Sequence, residues 1–311
     1  MSEGTAVRRD GNAAIRLARF TRARYEPHYL LYAVLFTLAL EATAALVSHP
    51  NAPWRPAGAT VVRIVVVAFV LLYLRMVDEQ KDLDYDRVHH PDRPLVTGAV
   101  RASDLRVAMV LIAAGAIAGS LALSVNSAVT IAAALAYGLA LWGLERVSAT
   151  VRDAIMVNLA VTYPVQLFII GYLVVSAIDT GQVASGWPAA AVAVLFAGAF
   201  LQFEFARKTA RAPRPGEWFY SNVLGAAGST AAGVACAVIA VACDLILVRP
   251  WTFDVPGALV AWIPPVLLVL PLWGAIRFAR APRDEPYPLV PAVLFVLTLY
   301  AALIAQALVL P

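Results

Sequence analysis

Long apolar stretches alternate with short polar, proline-rich or charged breaks along the whole chain. A helix that crosses a bilayer core needs about 20 mostly apolar residues. Stretches of that length run over residues 28–47, 57–77, 103–124, 127–145, 152–178, 187–206, 219–248, 258–277 and 288–310. The pattern predicts an all-α, polytopic membrane protein with nine transmembrane helices. An amino-terminal segment (1–27) precedes a single helical domain (28–311). The first apolar run follows an arginine-rich head that extends to Tyr25, which is not the layout of a cleavable signal.

Composition agrees with this pattern and narrows it. Of 311 residues, 61% are hydrophobic and 14% charged, and the mean hydropathy is +0.75. An average soluble domain carries about 25% charged residues, so both an ordinary soluble protein and a disordered chain are excluded. The net charge of +4 is dispersed rather than gathered on one face, which excludes a nucleic-acid binder. Cys236 and Cys243 lie within one apolar stretch without metal-ligand spacing and read as reduced packing residues.

Loop charges orient the bundle. The head and the loops after even-numbered spans hold nineteen of the 24 basic residues, among them Arg8, Arg9, Arg16, Arg24, Lys81, Arg93, Arg207, Lys208 and Arg283, whereas the opposite loops hold only Arg55 and Arg249. Short cytoplasmic loops retain lysine and arginine. The amino terminus and the functional face are therefore expected in the cytoplasm, the membrane being a bacterial plasma membrane. Arg146 and Arg152, on the short loop after the fourth span, receive only this topological role.

Candidate chemistry concentrates after the second span, in Asp78-Glu79-Gln80-Lys81-Asp82-Leu83-Asp84-Tyr85-Asp86. Steps of four drift only about 40° around a helix, so Asp78, Asp82 and Asp86 are expected on one face. Like charges so close repel unless a cation sits among them. Hard oxygen ligands suit magnesium, which commonly bridges one or two carboxylates to substrate phosphates. A solvated acidic turn at the membrane edge is the alternative. A proline-punctuated loop follows, His89-His90-Pro91-Asp92-Arg93-Pro94-Leu95-Val96-Thr97-Gly98, whose Arg93 is suited to grip a phosphate.

This string resembles the first aspartate-rich signature of the UbiA superfamily of intramembrane prenyltransferases, Asn-Asp-x-x-Asp-x-x-x-Asp followed by Arg-Pro and a Gly. Asp78 stands in place of the Asn and Glu79 in place of the first Asp, while Asp82, Asp86, Arg93-Pro94 and Gly98 match. The number of spans and the motif's place after the second span resemble the family too. The second motif departs from the pattern. It reads Phe203-Glu204-Phe205-Ala206-Arg207-Lys208-Thr209, with Glu204 as its only acid, and Gly216 and Tyr220-Ser221-Asn222-Val223-Leu224-Gly225 resemble the residues that follow it.

The resemblance implies a nine-helix bundle with a lipid-open central chamber. There a prenyl diphosphate would be held through Mg2+ by two loops and ionised to an allylic cation. The metal ligands it implies are Asp78, Glu79, Asp82, Asp86 and Glu204, and the catalytic residues Asp78, Asp82, Asp86 and Glu204, with Glu204 facing Asp78 across the chamber. The expected substrate-binding residues are Lys81, Arg93, Arg207, Lys208, Asn158, Tyr220 and Asn222. Arg207 and Lys208 either neutralise diphosphate charge or merely cap the end of a helix. Tyr73, Phe203, Phe205, Trp218 and Tyr220 are placed to offer aromatic faces to a cation.

The expected activity is transfer of the isoprenoid chain to an aromatic or other lipophilic acceptor, with a UbiA-type terpene cyclase as the alternative. A transporter would instead carry broken-helix sites near the membrane midplane. Glu41 and Arg63 fall at similar depth in the first two spans, far from the acidic cluster, and are expected to form a structural ion pair.

Overall fold

The computed structural model describes residues 12–48, 53–282 and 285–310; Arg8, Arg9 and Arg283 lie outside the described residues. The helices are α1 (Ala13–Arg24), α2 (Pro27–Ser48), α3 (Gly58–Lys81), α4 (Leu83–His89), α5 (Ala102–Leu121), α6 (Val125–Val147), α7 (Ala149–Asp153), α8 (Ile155–Thr162), α9 (Pro164–Asp179), α10 (Trp187–Arg207), α11 (Ser221–Val248), α12 (Gly257–Ala261), α13 (Ile263–Leu267), α14 (Val269–Arg280) and α15 (Leu289–Val309). Among the described residues, nine helical spans are long and apolar enough to cross a membrane. The protein has the architecture of a multi-pass integral membrane protein.

The spans are helical because lipid offers no partner to a free backbone N–H or C=O, which overrides the modest helix propensity of runs such as Val65-Val66-Val67 in α3. Proline sets the interruptions. Pro164 separates α8 from α9 inside the fifth span, and Pro264, Pro265 and Pro271 divide the eighth span into α12, α13 and α14. Each ring removes one donor and crowds the preceding turn.

Helix α2 packs against α3, α9, α10 and α15, and α10 lies closest to α11. That approach depends on Gly198, where an added Cβ would stand 2.6 Å from the Cys236 carbonyl oxygen. Small residues at such crossings let backbones come together where lipid supplies no hydrophobic drive.

Residues 13–24 form a docked helix, not the plain polar head the sequence suggests. Asn12 caps α1 by accepting from the Ala14 N–H at 2.6 Å, and Phe20 is buried. Arg16 grips Asp104 of α5 through two hydrogen bonds of 2.7 and 2.8 Å, and the Tyr25 hydroxyl donates to the Ala68 carbonyl at 2.8 Å.

At the opposite end of the bundle Glu41 and Arg63 pair as their depths predict. Arg63 Nη1 lies 2.7 Å from Glu41 Oε2, and both side chains are fully buried. Trp54 and Thr60 donate to Glu41, while Arg63 also donates to Gln182, to Thr180 and to the Ser176 hydroxyl and carbonyl.

Candidate active site

The acidic segment spans the joint between α3 and α4. Asp82 ends α3 at φ −91° and ψ 10°, yet hydrogen bonds four residues apart continue across it. The Asp82 N–H donates to the Asp78 carbonyl (2.8 Å), Asp86 to Asp82 (2.9 Å) and His90 to Asp86 (2.8 Å). Helical phase is thus kept through the joint, and the three carboxylates follow one another at successive turns. Their exposure falls steeply, from 48% for the Asp78 side chain through 19% for Asp82 to 1% for Asp86.

Lys81 occupies the space beside this row. Its Nζ lies 3.2 Å from Glu145 Oε1, 3.7 Å from Asp82 Oδ1 and 3.8 Å from Asp78 Oδ1. Expected to bind substrate, Lys81 here serves as counter-ion to three carboxylates. Glu145, at the end of α6, was not singled out from the sequence; an acid in a loop end otherwise marked by Arg146 and Arg152 was its only signal. Asn158, expected on the chamber floor, donates to Glu145 Oε1 at 2.8 Å and to the Val151 carbonyl at 3.1 Å, and so orients Glu145.

Two residues of the first loop turn away from this group. Asp86 is closed against Arg93, its ion-pair partner. Glu79, expected as a metal ligand, lies buried between Arg24 Nε at 2.5 Å and Arg75 Nη2 at 3.0 Å. One residue beyond Asp78, it sits about 100° around the helix. There it ties α1 to α3.

The second loop is cationic. Glu204, 7% exposed, takes Arg207 Nε at 2.5 Å on Oε2, and Arg207 Nη2 (3.1 Å), Lys208 Nζ (2.9 Å) and the Tyr220 hydroxyl (3.1 Å) on Oε1. Glu204, expected as a metal ligand, is engaged on both oxygens by two cations and a phenol. Tyr220 stays a donor because burial, reinforced by neighbouring Glu204, holds its hydroxyl well above the usual phenol range. Asn222, expected to bind substrate, closes its own loop instead. Its Oδ1 accepts from the Arg214 N–H, and its Nδ2 donates to the Arg214 and Glu217 carbonyls, each at 2.9 Å.

The two loops meet. Tyr85 of α4 stacks on Trp218 with ring centres 4.1 Å apart and planes 10° apart, and on its other side lies His89 at 4.2 Å. Tyr85 was missed by the sequence reading, since an aromatic within an acidic run carries no mark of its partner. Of the other aromatics, Tyr73 is buried against α6 with its hydroxyl on the Leu135 carbonyl, and Phe205 packs on Tyr220.

Glycines hold the loop shapes. Gly98, Gly216 and Gly225 have φ of +75°, +81° and +70°, and an added Cβ at any of them would meet nothing within 4 Å. Backbone conformation rather than space selects glycine here. At Gly225, with ψ 165°, α11 kinks just past its start in a region that essentially only glycine occupies.

The donor set discriminates between the loops as holders of a magnesium ion. Among the described residues no three His, Cys, Asp or Glu side chains converge as a closed metal cage. Magnesium at phosphate sites keeps several waters and needs only one or two carboxylates, which half-exposed Asp78 and neighbouring Asp82 provide. Burial pushes the Asp82 carboxyl up to about 7; Lys81 opposes that rise, and Asp78, Glu145 and Asp86 add to it. The second loop does not fit a metal.

No protein-family model and no curated protein matches the sequence. Solved structures do match the fold. A UbiA homologue from Aeropyrum pernix K1 aligns over 88% of this chain and 96% of its own, with a TM-score of 0.58 at 17% identity. A UbiA homologue from Archaeoglobus fulgidus bound to GPP and Mg2+ aligns over 96% and 99%, with a TM-score of 0.57 at 14% identity. A digeranylgeranylglyceryl phosphate synthase aligns over 94% and 99%, with a TM-score of 0.55 at 13% identity. The fold of this chain is the all-α UbiA fold, with nine apolar spans among the described residues.

Proposed function

We propose that the protein is an intramembrane prenyltransferase that ionises a prenyl diphosphate and passes the isoprenoid chain to an aromatic or other lipophilic acceptor. The observation that carries this reading is the meeting of a carboxylate-rich loop with a cationic loop at one end of a UbiA-type bundle, joined by the Tyr85–Trp218 stack. A related fold bound to GPP and Mg2+ supports it.

Asp78 and Asp82 would hold the Mg2+, while Asp86, one turn farther on, is taken up by Arg93. A metal ion held by these carboxylates would supply the positive charge that the diphosphate and its leaving group need. Lys81 and Glu145 set the spacing of those carboxylates, and Arg93 fixes the buried Asp86, its ion-pair partner, in place. Apolar helices around the site exclude the water that would quench an allylic cation. The reading places the site and the amino terminus on the cytoplasmic side of a bacterial plasma membrane.

A second reading, a terpene cyclase, rests on an aromatic cluster inside the bundle. Tyr32 stacks on Phe36 at 5.2 Å, Phe196 meets Phe36 edge-on at 5.7 Å, and Tyr300 lies 5.3 Å from Phe196. Aromatic faces in such a cluster can steer a migrating cation.

One experiment separates the two. The protein in lipid nanodiscs is incubated with Mg2+ and prenyl diphosphates of increasing length, without acceptor, beside an Asp82→Ala control, and extracts are analysed by mass spectrometry. Intact diphosphate or slow hydrolysis, with transfer restored by a lipophilic acceptor, supports the transferase. A cyclic hydrocarbon or terpene alcohol absent from the control establishes the cyclase instead. If diphosphate is consumed neither without nor with a lipophilic acceptor, both readings fail.

A further inference from the structure

The second loop carries the features of a site for an anion rather than for a metal. Between residues 203 and 216 the sequence has one acid, Glu204, and four basic residues, Arg207, Lys208, Arg211 and Arg214. Glu204 is already matched by both of its nearest cations, at 2.5 and 2.9 Å. A divalent ion on Glu204 would have to sit against both positive charges or expel them, and at such distances their repulsion is severe. The phenol of Tyr220 takes up what remains of Oε1.

Two cations against one carboxylate leave positive charge unspent. Its carriers are accessible: the Arg207 side chain is 47% exposed and Lys208 25%. Arg63, also paired with a glutamate, is by contrast fully buried and fully bonded. The Tyr85–Trp218 stack, with ring centres 4.1 Å apart, brings the loop that follows Arg207 and Lys208 against the helix that carries Asp86 and follows directly on Asp82. A guanidinium fork suits two oxygens of a phosphate, and an ammonium adds a compact point charge.

We propose that Arg207 and Lys208 grip the diphosphate of the substrate directly, with Glu204 as their positioning residue, and that the divalent cation is held by the first loop alone. This rests on the prenyltransferase reading, which supplies the diphosphate, and it goes beyond that reading by dividing the work between the loops. The site is asymmetric: one loop binds the anion through a metal, the other through side chains.

The test measures binding rather than turnover, in nanodiscs, with manganese as the metal probe and inorganic pyrophosphate as the anion. Wild type is expected to bind pyrophosphate weakly in EDTA. In the triple variant Arg207→Gln/Lys208→Gln/Glu204→Gln, which removes the three charges together and strands none of them, this metal-free affinity falls at least tenfold. The number of manganese ions bound per chain, counted by electron paramagnetic resonance, does not change. In Asp78→Asn/Asp82→Asn the pattern reverses, with manganese lost and metal-free pyrophosphate binding kept. Arg207→Lys, which keeps the charge and loses the fork, gives a smaller loss than the triple variant and serves where that variant does not fold.

Loss of a manganese ion in the triple variant overturns the proposal, as does metal-free pyrophosphate binding that is unchanged both there and in Arg207→Lys. Absence of pyrophosphate binding by the wild type with manganese present overturns the prenyltransferase reading itself, and this proposal with it.

Discussion

Two buried charge clusters stand at opposite ends of the bundle, and they are built differently. At one end Glu41 and Arg63 are both wholly buried, and each is bonded by further polar partners from α3, α9 and the loop after α9. At the other, Asp78, Asp82, Glu145 and Lys81 sit at distances of 3.2–3.8 Å, partly open to solvent, opposite a carboxylate that carries two cations. The first cluster is closed and balanced. The second has three carboxylates sharing one lysine on one side and two cations sharing one carboxylate on the other. Balance suits a structural pair, and the opposite imbalances of the two loops are what the proposed Mg2+ and diphosphate would offset.

The largest effect should come from breaking the balanced cluster. Glu41→Gln leaves Arg63 charged and unpaired in the interior, which costs about 3–5 kcal/mol. Thermal denaturation in nanodiscs is expected to show that loss, with turnover per folded molecule unchanged. A selective loss of turnover with normal stability would erase the distinction between the two ends.

Asp82→Ala attacks the unbalanced cluster. Removing one preorganised electrostatic group typically costs about 10^2–10^3 in rate, and Mg2+-dependent turnover should fall by that much while the protein stays folded. Next in size is Gly225→Ala, which forces a side chain into a backbone region that costs on the order of 1–3 kcal/mol. It should lower both stability and diphosphate affinity, because the kink in α11 follows directly on the second loop.

The smallest and sharpest test is pH. The Asp82 carboxyl is pushed up to about 7 by burial, well above its unfolded value of roughly 4. Below pH 4 both states hold the proton and nothing is gained or lost. Between about 4 and 7 the folded state holds it more tightly, so stability of the metal-free protein falls with rising pH and then levels off. Metal binding needs the carboxylate, so Mg2+ affinity should rise up to about tenfold per pH unit toward 7 and then flatten. Asp82→Asn should remove the stability slope; a slope that survives it belongs to another group.

Much of this was legible without coordinates. Nine apolar stretches gave nine spans, since the bilayer imposes a length and forbids unpaired backbone. Equal depth in adjacent antiparallel helices was enough to pair Glu41 with Arg63. The four-residue spacing of Asp78, Asp82 and Asp86 survived the joint at Asp82, because hydrogen bonds four residues apart continue through it. Gly98, Gly216 and Gly225, noticed only as resemblances, all take left-handed φ.

What escaped was every pairing between distant segments. Nothing local in Glu145 says that Lys81 will reach it across 64 positions, nor in Tyr85 that Trp218 will stack on it. Glu79 and Asp82 are both acids in one motif, and both are expected from the sequence as metal ligands. Yet α1 folds back to put Arg24 on Glu79 and leaves Asp82 beside Lys81. Helix formation and membrane insertion depend on neighbours in the chain and on the solvent, so sequence alone determined the spans, their breaks and the place of the acidic motif. Which carboxylate is free to bind and which is already spent depends on charges brought together from different helices, and that only the tertiary packing decided.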